Sequence, residues 1–360
     1  TRSGSSFIFE KTVDATTQGK ESLVIDGDAV FNNTVGVTTK LGALNVIGTS
    51  TFNPNATDVR TSGAANSGNQ TYSGEVILKE SLNLLTTTTG TIALNGGLTG
   101  NGKTLTISAQ TAVNLGDGLG ADSLTGLSTV DVTSTGGISI KASAIDSSGA
   151  SQRYRNAVTL GSNDVPNSSK TLTASTVTFD NTVNATTAGA QSLVVAGDTV
   201  FNNTVGATTK LGALSVSGTT TFNAGAVSVD TTNSNGGTGN QTYSGAVTGT
   251  GLTLTSTVLP SGSGVITANN ASNDFTGTLS VNSRGSLIRD TNGLTLVLND
   301  LANSTITTGG LLTVSGNVSN NFVVNVAGPI SFGAMSVGGF LDATAAGNIT
   351  QTGLLSVTGN

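Results

Sequence analysis

The feature that most constrains this chain is that it repeats itself. Residues 9–52 and 179–222 align without a gap at an offset of 179 − 9 = 170, with 31 identities in 44 positions. The shared text includes Val30-Phe31-Asn32-Asn33-Thr34-Val35-Gly36 against Val200-Phe201-Asn202-Asn203-Thr204-Val205-Gly206. After one inserted residue it resumes as Gly68-Asn69-Gln70-Thr71-Tyr72-Ser73-Gly74 against Gly239-Asn240-Gln241-Thr242-Tyr243-Ser244-Gly245, so the duplicated blocks are 7–78 and 177–249. A partial third copy reads Gln152-Arg153-Tyr154-Arg155-Asn156-Ala157-Val158. Periodic text of this kind signals a solenoid or an array, in which each unit buries its apolar face only against its neighbours.

A shorter period lies inside each block. Aromatic residues fall at Phe9, Phe31, Phe52 and Tyr72, and again at Phe179, Phe201, Phe222 and Tyr243, at spacings of 20 to 22. A second marker (Gly, two small or apolar residues, a hydroxyl or amide, Val, any residue, Gly) stands at 42–48, 212–218, 310–316, 333–339 and 353–359. Short alternating apolar and polar runs need only about 4–6 residues per strand. Gly, Asn and Asp between them supply the tight corners. A period near 21 is then one lap of a parallel β-helix, with equivalent residues about 4.8 Å apart on successive laps.

The expectation is an all-β chain folded as a right-handed parallel β-helix of about 20–22 residues per coil. The handedness follows from the right-handed crossover of parallel strands. About 17 coils would form one continuous shaft over residues 1–360, with 80–150 less regular and open to a loop excursion. The eight aromatics are expected to stack in the core, and Asn32, Asn33, Asn202 and Asn203 to line a corner ladder. Helices are disfavoured, because no sustained i, i+3, i+4 apolar pattern appears and β-branched Thr and Val dominate. Asn-Gly and Asp-Gly pairs at Asp26, Asn95, Asn101, Asp117, Asn235 and Asn292 suit the hairpins of a β-sandwich. They do not recur at matched positions in the two copies, whereas the aromatics do.

Composition narrows the chemistry. Only 9% of residues are charged, against about a quarter in typical domains. The 36% apolar content and net charge of −6 are unlike a disordered chain, which pairs low hydrophobicity with high charge. Without His or Cys, no Ser-His-Asp or Cys-His nucleophile and no usual zinc, haem or iron–sulfur site can form. No enzyme activity and no cofactor are expected. The acidic balance disfavours nucleic acid as a partner. No run of 18 apolar residues marks a membrane span. The opening residues Thr1 to Ser6 do not read as a signal peptide, and the last residues stop inside the repeated marker, so the chain reads as part of something longer.

Several residues invite a chemical reading and a plainer one. Asp26 and Asp28 share a strand face about 7 Å apart, a separation that suits glycoside chemistry. The second copy keeps only Asp198, with Ala196 in place of Asp26, so a corner role beside Gly27 is favoured. The segment Asp117 to Thr125 nearly fits the calcium-binding nonapeptide, but one copy cannot complete a shell of six to eight oxygens, and a simple turn is expected. Arg153 and Arg155 flank Tyr154 and should point outward, where a solvated surface is favoured over contact with an acidic sugar. Thr219-Thr220-Thr221 and Thr86 to Thr89 suggest an ice-binding face, which would need Thr at one place on every coil; these runs do not recur in that way. Glycosylation sequons at Asn32, Asn69, Asn202 and Asn240 are expected by chance in a chain so rich in Asn and Thr.

The C-terminal third carries a family resemblance. Asn273-Asp274-Phe275-Thr276-Gly277-Thr278-Leu279-Ser280-Val281, Ile288-Arg289-Asp290-Thr291-Asn292-Gly293-Leu294-Thr295-Leu296 and Gly347-Asn348-Ile349-Thr350-Gln351-Thr352-Gly353-Leu354-Leu355-Ser356-Val357 resemble repeats of giant filamentous-haemagglutinin-like bacterial proteins. The Gln-x-Tyr-Ser-Gly-x-Val stretches look like repeats of the same group. The resemblance implies a non-catalytic β-helical shaft at the bacterial cell surface, exported by two-partner secretion and used in adhesion or biofilm. The secretion domain of that family is not recognisable in this chain. Expected partners are further copies of itself, neighbouring repeats of a longer chain, polysaccharide or another cell surface. An uncapped strand edge would also invite end-to-end stacking.

Overall fold

A computed structural model describes the backbone of residues 2–120, 122–162, 168–223, 227–258 and 262–359. The strands are short, parallel and stacked as a β-solenoid of about 15 turns with about 22 residues per turn. Among the described residues the one helical segment is a single 3-10 turn, Ser234–Gly236. Two units are distinguished, Thr1–Asn181 and Thr182–Asn360.

In the first unit one interior column runs through seven turns. Ile25 lies beside Val46, then Tyr72, Leu94, Leu115, Ile140 and Leu160 in strict register. All seven are at most 1% exposed, so each turn seals the apolar face of the one before it. Burial of this kind contributes about 1.5–3 kcal/mol per large aliphatic side chain. In the second unit the corresponding column is Val195, Val216, Tyr243, Ala268, Ile288, Ile306 and Val324. Every strand pair with an assigned register is parallel; the backbone groups of one turn are satisfied by the next, and alternate side chains point in and out.

The length of a turn is not constant, which accounts for about 15 turns where a uniform period predicts about 17. Hydrogen-bonded partners on successive turns are 26 residues apart at Thr87 and Thr61, 21 at Asn53 and Asn32, and only 17 at Ser283 and Asp300. Longer turns carry corner loops; beyond residue 280 the corners tighten and the period falls to 17–19, returning to 20 on the last turn. The markers at 310–316 and 333–339 are consequently out of register: Val314 lies beside Phe332, and Val337 beside Val318. Those at 333–339 and 353–359 do coincide, Val337 beside Val357. Residues 80–150 are built from parallel strands that include Leu98–Ala109, Ser123–Ser134 and Ala144–Tyr154, with register shifts between Thr99 and Lys103 and between Leu124 and Val130.

Glycine sets how closely corners stack. A Cβ on Gly48 would sit 2.5 Å from the carbonyl carbon of Gly27 on the preceding turn, and one on Gly74 would sit 2.5 Å from that of Gly48. Gly36 has φ +66°, and its Cβ would meet the Arg60 carbonyl oxygen at 2.1 Å. The stack leaves no room for even one methyl group. Replacing Gly48 with Ala is therefore expected to destabilise the first unit by about 1–3 kcal/mol, as overpacking does. A lowered urea midpoint with an unchanged slope would register it; an unaltered midpoint would show that the corner can open.

Candidate functional site

The eight expected core aromatics divide by register. Phe9, Phe31 and Phe52 form one column, with ring centroids 5.1 and 5.2 Å apart and planes within 16° of parallel. Tyr72 stands one strand over, in register with Val46 and Leu94, and meets Phe52 edge-on at 6.0 Å; the register partner of Phe52 is Leu78. The interval from Phe52 to Tyr72 is thus not a full turn. In the second unit Phe201 and Phe222 stack at 5.5 Å, and Tyr243 meets Phe222 edge-on at 6.0 Å. Phe179 belongs to the first unit, stacked at 5.4 Å on Tyr154, the tyrosine of the partial third copy.

The tyrosines belong to a polar device that periodicity alone does not reveal. In each Gln-x-Tyr triplet both side chains point inward and are buried. The Tyr72 hydroxyl donates to Gln70 Oε1 at 3.3 Å, and Gln70 Nε2 donates to the carbonyls of Val59 (3.1 Å) and Leu85 (2.9 Å) on two successive turns. Tyr154 with Gln152 bridges the carbonyls of Ile145 and Thr173, and Tyr243 with Gln241 bridges those of Val229 and Thr255. A buried amide left without partners is costly, so the tyrosine and the two carbonyls together make the glutamine tolerable. Burial pushes all three phenols far above their ordinary pKa, so they stay protonated and donate.

At the corners, carboxylates and amides act as acceptors for backbone N–H groups. Asp28 Oδ1 accepts from Thr49 N–H and Asp198 Oδ1 from Thr219 N–H, both at 2.8 Å, one turn on. Asp14 Oδ1 accepts from Thr38 and Thr39, while at the matching place in the second copy Asn184 Oδ1 accepts from Thr208 and Thr209. An amide replaces a carboxylate without loss of the bonds, so these sites call for an oxygen acceptor and not for a charge. Asn32 donates to Glu10 and accepts from Asn53 at 2.7 Å, and Asn202 accepts from Asn223 at 2.9 Å. Asn33 and Asn203 instead accept from the next residue's N–H, a local turn contact.

The other candidates resolve in the same direction. Asp26 and Asp28 are both exposed. Asp117 Oδ1 accepts from Leu119 N–H at 2.6 Å and Asp122 Oδ2 from Asp117 N–H at 3.2 Å, while the Asp122 carbonyl accepts from Ser143 on the next turn; Ala121 lies outside the described residues. Burial and the adjacent Asp117 carboxyl raise the pKa of Asp122. Among the described residues no group of three or more His, Cys, Asp or Glu side chains could hold a metal ion. Arg153 and Arg155 point outward and pair with Asp180 at 2.8 Å and Asp131 at 2.7 Å. The sequon amides of Asn69 and Asn240 accept backbone N–H bonds from Thr91 and Val265, each at 2.9 Å. Among the described residues no helix is long and apolar enough to cross a membrane.

Two aspartates of the second unit are buried. Asp300 is 0% exposed and accepts from the hydroxyls of Ser283 (2.7 Å) and Ser304 (2.5 Å). Asp290 is 1% exposed and takes the N–H groups of Phe275 and Asn292. Burial raises both pKa values, outweighing these bonds.

Comparison with known protein families finds a match to part of the chain. The model of a family described as repeats of unknown function (DUF5649) matches residues 319–360, within the short-period part of the second unit. No curated protein and no solved structure matches. The chain is a repeat protein folded as a parallel β-solenoid.

Two predictions follow from these buried groups. Tyr243→Phe removes the donor to Gln241 and is expected to cost about 1–3 kcal/mol, read from urea unfolding; an unchanged stability would show that the amide carbonyl has another partner. For Asp300, a raised folded-state pKa means that its stabilising protonation is fully present below the ordinary carboxylate range and lost as pH rises through the raised value. The stability of wild type relative to Asp300→Asn should therefore fall as pH rises above the ordinary carboxylate range. A difference that stays constant over that rise would contradict the assignment.

Proposed function

We propose that this chain is a non-catalytic structural shaft of an extracellular bacterial adhesin or of a surface or biofilm-matrix filament. The observation that carries the reading is the use made of polar side chains. Acids and amides at the corners accept the N–H groups of neighbouring turns, and the buried glutamines tie successive turns together. A solenoid held turn to turn in this way gains stability as a sum of nearest-neighbour terms, so it can be lengthened by duplication without a new core. The 170-residue duplication and the resemblance of the C-terminal repeats to filamentous haemagglutinins support the same reading. Its expected associates are neighbouring repeats or further copies of itself, with polysaccharide as the ligand class considered below.

The reading places the chain outside the cell. Immunogold labelling and protease treatment of intact producing cells should find it accessible at the surface or in the matrix. Recovery of the intact chain only after lysis would overturn the proposal.

A further inference from the structure

The arginines of the two units differ in company. In the first unit Arg60, Arg153 and Arg155 pair with Asp58, Asp180 and Asp131 at 2.7–2.9 Å. Residues 182–360 contain two arginines, Arg284 and Arg289. Both are exposed, and neither makes an ion pair among the described residues. Arg284 immediately precedes the strand Gly285–Asp290 and Arg289 lies near its end, and each lines a groove bordering that strand.

The groove at Arg289 has a volume of about 370 Å³. Its wall is a column in register, Arg289 beside Thr307, then Asn325, then Thr344, which offers one hydrogen-bonding side chain per turn. Its lining also includes the exposed small residues Ala271, Gly309 and Ala327, which leave room for a sugar ring. Asp290 also lines it, but that carboxylate is buried and accepts two backbone N–H bonds, so it does not neutralise the guanidinium by an ion pair. The groove at Arg284, about 350 Å³, borders the same face at Leu287 and Thr305. The exposed acid of this face, Asp342, stands beside Val323, three strands from Leu287.

From this arrangement we infer that the grooved face of the second unit binds a linear polysaccharide bearing carboxylates, a polyuronate. Guanidinium groups recognise carboxylates through two parallel hydrogen bonds. The hydroxyl and amide column, spaced about 4.8 Å per turn, suits sugar hydroxyls presented along an extended chain. Two cations, with Asp290 on the same strand and Asp274 and Asp342 on others of the unit, are too few for a phosphodiester polymer, whose binding rests on many neutralised phosphates. The inference goes beyond the shaft reading and fails separately from it, since surface labelling does not report on the groove and polyuronate binding does not report on location.

The test is affinity electrophoresis of the whole chain through gels containing polygalacturonate, with a neutral β-glucan and single-stranded DNA as comparison polymers. The wild-type chain should be retarded by polygalacturonate alone. The Arg284→Gln/Arg289→Gln variant should bind at least tenfold more weakly, with an unchanged thermal midpoint. Lys210→Gln, which removes a cation elsewhere in the unit, should bind as wild type does. Ala327→Trp, which puts a bulky ring on the groove lining and keeps both arginines, should also lose at least tenfold. Failure of the wild-type chain to bind polygalacturonate, equal binding to either comparison polymer, or full binding by the arginine or tryptophan variant would overturn the inference.

Discussion

Parallel in-register stacking is the constraint on which everything else in this molecule depends. Because each residue lies beside its counterpart on the next turn, any property of one position is copied along the axis. Apolar groups become columns, such as Ile25 to Leu160, and glycines become stacks in which adjacent backbones touch. The same geometry penalises like charges, which would repeat at every turn. A chain with only 9% charged residues satisfies that restriction by composition. Some of the charges it retains are paired across turns, as with Asp131 and Arg155, or accept backbone N–H groups at corners, as with Asp28.

The interior is not purely apolar, and its exceptions are organised. Each Gln-x-Tyr triplet sets an amide where two strands on successive turns can both be reached. The same triplet recurs at 70–72, 152–154 and 241–243, so the arrangement is a reusable part and not an accident of one turn. Not every inward hydroxyl is so provided for. Ser50 and Thr220, at equivalent places in the two copies, have buried oxygens without a partner among the described residues. Such groups cost stability that an aliphatic residue of the same shape would not.

The fold was legible in the sequence because its signal is geometric: aromatics about 21 residues apart and Gly-bounded runs announce a lap of backbone. What could not be read was the variation of that lap. The interval from Phe52 to Tyr72 looks like a turn, but the true partner of Phe52 is Leu78, since the intervening corner loop lengthens that turn. From residue 280 until the last turn the lap shortens to 17–19, and a search for 21 misses alignments there. One of them is Thr278, Thr295, Thr313, Ser331 and Thr350, hydroxyl residues in register on five strands, unlike the Thr runs whose local density drew the eye. At the candidate sites, the inward position of Tyr154 followed from alternation, whereas burial of Gln152 and of Asp300 depends on partners distant in sequence. The grooves at Arg284 and Arg289 depend on how corners recede, which no local pattern encodes.

The corner where Asp14 and Asn184 are interchangeable has a consequence for chemical ageing. Asparagine side chains lose their amide nitrogen slowly in water and become aspartate. At Asn184 the oxygen does the holding, so this damage converts the residue into what its counterpart already is, and the corner persists. At Asn53 and Asn223 the nitrogen is the donor, and the same change would set an acid against an amide oxygen. A long-lived chain of this kind would wear first along its asparagine ladder and last at its acceptor corners.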